Sequence, residues 1–227
     1  MDLGIDGDAA VITAGTAGLG LASAEALARE GCDVAVCGRD EDRLARAEAH
    51  LEAIAGGEVL TVQANITDES EIEGFVGAAI GEFGRLDHVV TSAGGPPSGP
   101  FLETSDEDWQ NAYDLLVMSV VRTVRAAHPT IAEDGGGTIV NITSRSVREV
   151  IDDLVLSNSV RRAVIGLMKT LSHEFAPEVR ANAVLPGAHE TSRIEELVEQ
   201  GVDRGDYDDY EAGLEEWSEG IPIERVG

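Results

Sequence analysis

The fold is decided by the stretch Ala9-Ala10-Val11-Ile12-Thr13-Ala14-Gly15-Thr16-Ala17-Gly18-Leu19-Gly20, in which a short apolar run enters a turn with almost no side chains. The next residues, 21–30, are rich in alanine and leucine at helical spacing. A buried strand, a glycine turn and a helix start form an anion site, because unpaired N–H groups and the positive end of the helix dipole face one crevice. The spacing Gly15-x-x-Gly18-x-Gly20 therefore predicts a pyrophosphate site, and a glycine turn without a ligand is the alternative.

The charge of the chain narrows the choice of partners. There are 43 acidic and 16 basic residues, a net charge of −27, and a single lysine, Lys169. This even acidic coat resembles that of proteins from salt-loving archaea, and it repels nucleic acid and acidic membranes. An acidic face for a basic partner would require clustered charge, and the acids thicken only between Glu195 and Glu219. We therefore expect neither nucleic acid nor a membrane as partner.

Length and cysteine usage indicate the compartment. At 227 residues the chain is long enough for one domain with a sizeable core. Cys32 and Cys37 lie roughly 16 Å apart along an extended strand, too far for a disulfide, and two lone cysteines are no metal-ligand set. No apolar run is long enough to span a membrane, and no leader precedes Gly7. The sequence predicts a soluble, cytoplasmic protein with neither a disulfide nor a metal site.

Strand-like runs alternate with helical ones, the pattern of a parallel sheet covered on both faces. The predicted strands are 9–13, 33–37, 59–63, 88–91, 138–142 and 180–184, and the predicted helices are 19–30, 42–55, 69–83, 106–132 and 154–175. The fold class is thus α/β, a Rossmann-type doubly wound parallel sheet in three layers, forming a single domain over 1–227. Residues 187–220, acidic and broken by Gly201, Gly205 and Gly213, are interpreted as a flap over the carboxyl ends of the strands, where substrates of such sheets bind.

Five further segments in fixed order carry a family resemblance. They are Ala64-Asn65-Ile66-Thr67-Asp68, Thr91-Ser92-Ala93-Gly94-Gly95-Pro96-Pro97, Gly137-Thr138-Ile139-Val140-Asn141-Ile142-Thr143-Ser144, Ala163-Val164-Ile165-Gly166-Leu167 and Ala181-Asn182-Ala183-Val184-Leu185-Pro186-Gly187. With the glycine turn they resemble the short-chain dehydrogenase/reductase family over the whole chain. The Gly-Gly-Pro-Pro loop is similar to that of its 3-oxoacyl-carrier-protein-reductase-like branch.

The resemblance implies a nicotinamide dinucleotide site. Its residues would be Gly15, Thr16, Ala17, Gly18, Leu19, Gly20, Arg39, Asn65, Ile66, Ser92, Ala93, Gly94, Pro186, Gly187 and Thr191. Enzymes that prefer NAD place an acid where Gly38 stands, whereas Arg39 can meet a 2′-phosphate, so NADP is favoured over NAD. The alternative is that Arg39 pairs with Asp42. Four positions depart from the family pattern: Ala14 replaces a glycine, Asn65 an aspartate, and Thr91-Ser92 an asparagine pair.

The catalytic set departs further. The family uses Asn, Ser, Tyr and Lys, and alignment on the quoted segments gives Leu116, Ser144, Ser157 and Arg161, so only the serine is kept. Serine is too weak an acid to replace the tyrosine, and arginine does not release a proton. Three stand-ins are Tyr113, one helical turn before Leu116, then His189, and a water held by Ser144. Tyr113 as a packed helix residue and His189 as a solvated loop residue are the alternatives.

An arginine cluster falls in the same stretch. Arg145, Arg148, Arg161 and Arg162 could form an anion pocket for a carboxylate, a phosphate or an acyl-thioester carrier. The alternative is pairing with Glu149, Asp152 and Asp153, or with a partner subunit.

The sequence stops at Val226-Gly227, whereas family members continue with a helix and a last strand, Val-Asp-Gly-Gly. Either the sequence is truncated, or the predicted sheet lacks that helix and strand and has an open edge. Relatives assemble through the helices that here begin near Asp106 and Leu154, which implies a homodimer or homotetramer. The function predicted is an NADP-dependent oxidoreductase with an atypical proton donor, acting on a carbonyl or alcohol such as a 3-oxoacyl thioester. The alternative is a catalytically degenerate nicotinamide-binding sensor or partner subunit.

Overall fold

A computed structural model describes residues 3–133 and 135–227. The chain forms two compact units, one ending at Leu185 and one covering Pro186–Gly227. This division does not test the prediction of a single domain over 1–227, which stays a prediction.

The first unit is built on a parallel sheet of six strands in the order β3-β2-β1-β4-β5-β6. The strands are β1 (Ala9–Ile12), β2 (Asp33–Gly38), β3 (Val59–Gln63), β4 (His88–Thr91), β5 (Gly137–Ile142) and β6 (Val179–Val184). The order turns from descending to ascending between β1 and β4. At such a switch point the loops after neighbouring strands diverge and open a crevice. The α/β prediction is confirmed, with strand bounds within one residue.

Helices cover both faces of this sheet. They are α1 (Gly18–Arg29), α2 (Glu41–Glu52), α3 (Glu69–Phe83), α4 (Asp106–Tyr113), α5 (Ser119–Glu133) and α6 (Val155–Glu174). Alternate strand residues face opposite layers: Val11 packs with α3, α5 and α6, and Ile12 packs with α1 and α2. Because both faces are buried, the strands are apolar throughout rather than alternating.

The prediction of one continuous helix over 106–132 is wrong in its middle. A π-helical turn, Asp114–Met118, separates α4 from α5 and inserts one extra residue per turn. The interruption falls on Leu116, where the family resemblance aligns the missing asparagine. Periodicity cannot reveal it, because the apolar spacing on either side remains helical.

The second unit contains two helices, α7 (Ser192–Arg204) and α8 (Tyr210–Ser218), and both lie within residues 187–220. The prediction that three glycines break this region is wrong for two of them. Gly201 lies within α7 and Gly213 within α8, and a β-carbon on either would meet the ring of Tyr207. Only Gly205 ends a helix, in a left-handed conformation with φ +81°. The other two are packing glycines.

Within the described residues no helix is long and apolar enough to cross a membrane. Cys32 and Cys37 are free cysteines, and both are buried. In the same part of the chain, no group of three or more His, Cys, Asp or Glu side chains is arranged to hold a metal ion.

Candidate active site

The turn after β1 is tied to the loop after β4 by one side chain. The Thr13 hydroxyl donates to the Ser92 carbonyl over 2.7 Å and lies 2.9 Å from the Ser92 N–H, which it accepts. The Gly15 N–H donates to the carbonyl of Cys37 at the end of β2 over 3.1 Å. The predicted residues 15–20 and 92–94 are therefore brought together at the carboxyl edge of the sheet.

The N-terminus of α1 carries no side-chain cap. The residue before the helix is Ala17, and the first turn contains no acid. By contrast, α2, α3 and α4 are each preceded by a capping residue, which is Asp40, Asp68 or Ser105. The side chain of each accepts hydrogen bonds from backbone N–H groups in the first turn of its helix. The positive end of α1 is therefore open to an anion, as is that of α6, which also lacks a side-chain cap and a first-turn acid.

Two glycines of this turn are required by close packing. A β-carbon on Gly15 would lie 2.8 Å from Val36, and one on Gly20 would overlap the Ala14 carbonyl oxygen. The turn therefore lies flat against β2, and only residues without a β-carbon fit at these two positions. Ala14 occupies the left-handed region with φ +48°, where glycine is favoured.

A side chain from the turn covers the end of β2. A β-carbon on Gly38 would lie 2.8 Å from Cγ2 and 2.9 Å from Oγ1 of Thr16. Gly38 therefore does not leave empty space, because Thr16 fills the position from which an acidic side chain would extend. Arg39 is exposed and forms no ion pair with any described residue, so the predicted alternative, pairing with Asp42, is not observed.

Asn65 and Ile66 follow β3 at the rim of the same edge. The side-chain carbonyl of Asn65 accepts hydrogen bonds from the Thr67 N–H at 3.1 Å and the Thr67 hydroxyl at 2.9 Å. This closes an Asx turn. Asn65 keeps a loop-forming role that an aspartate there would also perform.

The predicted catalytic residues form one hydrogen-bonded chain. Ser144 precedes a 3₁₀ turn, Arg145–Val147, and its hydroxyl accepts from the Ser146 N–H at 3.1 Å. The hydroxyls of Ser146 and Ser157 are 3.3 Å apart, and Arg161 Nε donates to Ser157 Oγ over 3.0 Å. A second guanidinium nitrogen of Arg161 donates to the Gly94 carbonyl at 3.3 Å. These contacts join the end of β5, α6 and the loop after β4.

Ser146 was missed by the sequence reasoning. Its side chain is fully buried (0% exposed), and Ser157 is 6% exposed. The available signal was a second serine two residues after Ser144, at the start of a polar stretch that leads to α6. The resemblance to the family directs attention to the four aligned positions and away from this one.

The two side chains predicted to stand in for the proton donor, Tyr113 and His189, lie in different units of the chain. Tyr113 is 48% exposed, Leu116 is 3% exposed, and Leu116 lies in the π-helical turn, so the stand-in role of Tyr113 stays a prediction. His189 lies in the second unit, where its Nδ1 is 3.2 Å from the Gly187 carbonyl. Pro186, Gly187 and Thr191 also belong to that unit, and their cofactor role stays a prediction.

The arginine cluster is divided among several partners. Arg145 forms an ion pair of 2.9 Å with Glu149, which favours the pairing alternative for that residue. Arg161 contacts Ser157 and Gly94, whereas Arg148 and Arg162 are exposed. The cation with a place in the catalytic chain is Arg161.

The whole arrangement matches a known protein family. Residues 8–201 match the model of the family described as short chain dehydrogenase. The chain belongs to the short-chain dehydrogenase family. It is thus an oxidoreductase by family, and the resemblance inferred from the sequence is confirmed.

Relatives and solved structures agree with this assignment. An uncharacterized oxidoreductase of Mycobacterium tuberculosis is 31% identical over 224 residues, 98% of this chain and 81% of its own. L-sorbose reductase from Gluconobacter frateurii, solved with NADPH and L-sorbose, is 31% identical with a TM-score of 0.92 and covers 100% of this chain and 87% of its own. A variant of actinorhodin polyketide ketoreductase, solved with NADPH, is 27% identical with a TM-score of 0.90 over the same shares.

Proposed function

We propose that this protein is an NADP-dependent oxidoreductase that interconverts a carbonyl compound and an alcohol. The observation that carries the proposal is the uncapped, acid-free N-terminus of α1 behind a glycine turn that lies flat on β2. The two solved relatives named above hold NADPH. When bound, the nicotinamide dinucleotide supplies or accepts the hydride.

The residues present fit this group. The N–H groups at Gly18, Leu19 and Gly20 are available to a pyrophosphate. Thr16 covers Gly38 and excludes the acid that would bind a ribose 2′-hydroxyl, and the exposed Arg39 follows directly. This combination supports NADP over NAD, because a 2′-phosphate needs a cation and no nearby carboxylate.

The carbonyl substrate would bind at Ser144, Ser157 and Arg161. A ketone oxygen bound there gains charge as hydride arrives, and hydroxyls together with a guanidinium stabilise that charge. No member of this set has a pKa suited to donating the proton, so water delivers it. A 3-oxoacyl thioester is the substrate class we infer, because the named polyketide ketoreductase is a structural relative.

A second candidate function rests on the same replaced residues. With Ser157 and Arg161 in place of tyrosine and lysine, the protein could bind the nucleotide and act as a sensor or a partner subunit. NADPH and NADH titrations at molar KCl, followed by nucleotide fluorescence, test the shared step, with Gly20→Val as the binding-deficient control. Turnover of 3-oxoacyl thioesters or simple ketones supports the enzyme, binding without turnover supports the sensor, and binding of neither nucleotide overturns both.

We further infer assembly into a homodimer or homotetramer through α5 and α6. An apolar groove of about 280 Å³ runs between these helices. Its lining consists of Val121, Val124, Arg125, His128, Pro129, Leu167, Leu171 and Phe175. A second copy would cover this surface, and Leu167→Glu should then lower the mass measured by light scattering. An unchanged mass would exclude this interface.

The acidic coat supports adaptation to high salt. With 43 acids against 16 bases, self-repulsion opposes the compact state, and salt screens it. We expect the melting temperature to rise steadily between 0.1 and 2 M KCl. A melting temperature that is unchanged or falls over this range would contradict the adaptation.

A further inference from the structure

We propose that Ser146 is a positioning residue that donates its hydroxyl hydrogen to Ser157, so that Ser157 in turn offers its own hydrogen to the carbonyl oxygen under reduction. The inference rests on the proposed function and assigns Ser146 a part in that site. It starts from the hydrogen-bonded chain Arg161–Ser157–Ser146, with lengths of 3.0 and 3.3 Å.

The hydrogens available in this chain decide which group donates in each hydrogen bond. A guanidinium nitrogen can only donate, so Ser157 Oγ must accept the bond from Arg161 Nε. Either serine hydroxyl could donate to the other. The structure gives the Ser146 hydroxyl one partner among the described residues, Ser157 Oγ.

Burial decides the direction of the bond between the serines. Ser146 is 0% exposed, so water does not reach its hydroxyl. If Ser157 donated, the hydrogen of Ser146 would be buried without an acceptor among these residues, which is costly. If Ser146 donates, both hydroxyls are satisfied. Donation from Ser146 to Ser157 is therefore favoured.

The consequence falls on Ser157. Its oxygen then accepts from Arg161 and from Ser146, and its own hydrogen must point elsewhere. Ser157 is buried but less completely than Ser146, with 6% of the residue exposed against 0%. Hydrogen bonds in a chain polarise one another, so a hydroxyl that accepts two of them is a stronger donor than an isolated serine. It occupies the position that the resemblance assigns to the tyrosine.

The reaction balances without a protein acid. Hydride from the reduced nucleotide adds to the carbonyl carbon, and the π pair of the C=O bond moves to the oxygen. The resulting alkoxide is hydrogen-bonded by Ser157 and faces the charge of Arg161. It takes a proton from water and leaves hydroxide, with the alcohol and the oxidised nucleotide as products. Ser146 contributes only by orienting and polarising Ser157.

The test compares Ser146→Ala, Ser157→Ala and the double variant. Ser119→Ala is a matched control, because Ser119 is also buried and its hydroxyl donates to the Leu115 carbonyl over 2.6 Å. Single-turnover hydride transfer and the Kd for NADPH are measured for each. We expect Ser146→Ala to slow transfer about tenfold, the effect of one neutral hydrogen bond, with unchanged Kd. The double variant should match Ser157→Ala, since Ser146 acts through Ser157.

A second readout needs neither nucleotide nor turnover. In protein labelled with ¹⁵N-arginine, the Arg161 Nε–H signal, identified by its loss in Arg161→Lys, reports the bond to Ser157. Ser157→Ala should accelerate its exchange with solvent, Ser146→Ala should accelerate it less, and Ser119→Ala should leave it unchanged.

The hydride-transfer rate and the Arg161 Nε–H exchange rate together distinguish failure of the positioning role from failure of the proposed function. An unchanged rate in Ser146→Ala, or additive losses in the double variant, overturns the positioning role while the proposed function stands. If the wild type reduces no carbonyl compound, the proposed function fails, and the exchange rates alone decide. Faster exchange in Ser146→Ala then supports the contact, and unchanged exchange overturns it.

Discussion

The nucleotide turn and the catalytic stretch have diverged from the family pattern to different degrees. Around the turn, substitutions such as Ala14 for glycine leave the fold and the hydrogen bonds between β1, β2 and β4 in place. In the stretch from β5 to α6, the resemblance aligns Ser157 and Arg161 with the family's tyrosine and lysine, the groups that move the proton. The turn is built mainly from backbone N–H groups, whereas the catalytic stretch is built from side chains.

The difference shows what each half can tolerate. A backbone site survives most substitutions as long as no β-carbon enters the space held by Gly15, Gly20 and Gly38. A side-chain site loses its chemistry with one substitution, although the new residues form an ordered chain of their own. We therefore expect nucleotide binding and proton transfer to be separable in this protein, so that substitutions can change each one alone.

The largest expected effect restores the family chemistry. Ser157→Tyr together with Arg161→Lys should raise the rate of hydride transfer by about 10²- to 10⁴-fold, the usual contribution of a placed general acid. A lysine charge near a phenol lowers its pKa, so the proton no longer has to come from water. Single-turnover absorbance at 340 nm measures the change.

Single substitutions are the controls for this experiment. Arg161→Lys alone should give no gain, because it leaves no phenol to act on. Ser157→Tyr alone should give part of the gain, since Arg161 supplies the charge. A double variant no faster than the wild type would mean that proton delivery does not limit the reaction.

The next largest effect is expected on nucleotide binding alone. Gly38→Asp should weaken NADPH binding about 100-fold, because a carboxylate would face the 2′-phosphate and its β-carbon would crowd Thr16. Adding Thr16→Gly relieves the crowding and should shift preference to NADH. Fluorescence titration gives both Kd values. Equal NADPH affinity in Gly38→Asp would mean that the 2′-phosphate lies away from β2.

The sequence predicted the backbone-built half better than the side-chain half. Strand and helix bounds followed from apolar runs and the glycine turn, which are local signals. The π-helical turn at Leu116 is local, but the apolar spacing around it stays helical and does not reveal it. The cover of Gly38 by Thr16 and the contact of Ser146 with Ser157 depend on where separate segments meet, and one sequence carries no record of such pairings. The same holds for Gly201 and Gly213, whose packing against Tyr207 leaves no trace in helical spacing.

A smaller effect concerns Cys37, which underlies the nucleotide turn through its carbonyl bond to Gly15. Burial raises the pKa of the Cys37 thiol from 9.0 to about 12. Between these values the unfolded chain loses the proton and the folded protein keeps it, so stability falls as pH rises above 9, by about 1.4 kcal/mol per pH unit. Urea unfolding at pH 8 and pH 10 should show a smaller loss in Cys37→Ala than in the wild type.

Cys32 provides the comparison for this pH effect. Burial, reinforced by Asp8, also raises its pKa to about 12. Cys32→Ala should therefore remove a similar part of the loss, although it lies away from the turn. If Cys37→Ala and the wild type lose equal stability between pH 8 and pH 10, the thiol under the nucleotide turn is not sealed from water.

The smallest effect tests the strain in the turn itself. Ala14 has φ +48°, which costs a residue with a β-carbon about 1–2 kcal/mol relative to glycine. Ala14→Gly relieves that strain but gives the unfolded chain more freedom, a loss of about 0.4–1 kcal/mol, so the net gain should be near 1 kcal/mol. Ala93→Gly is the matched control, because Ala93 is also a half-buried loop residue and has no positive φ, so only the loss applies. Urea unfolding of both variants isolates the strain: Ala14→Gly should be the more stable by about 1–2 kcal/mol. Equal stabilities would show that the turn relaxes around Ala14, and a backbone site would then tolerate this replacement at no cost.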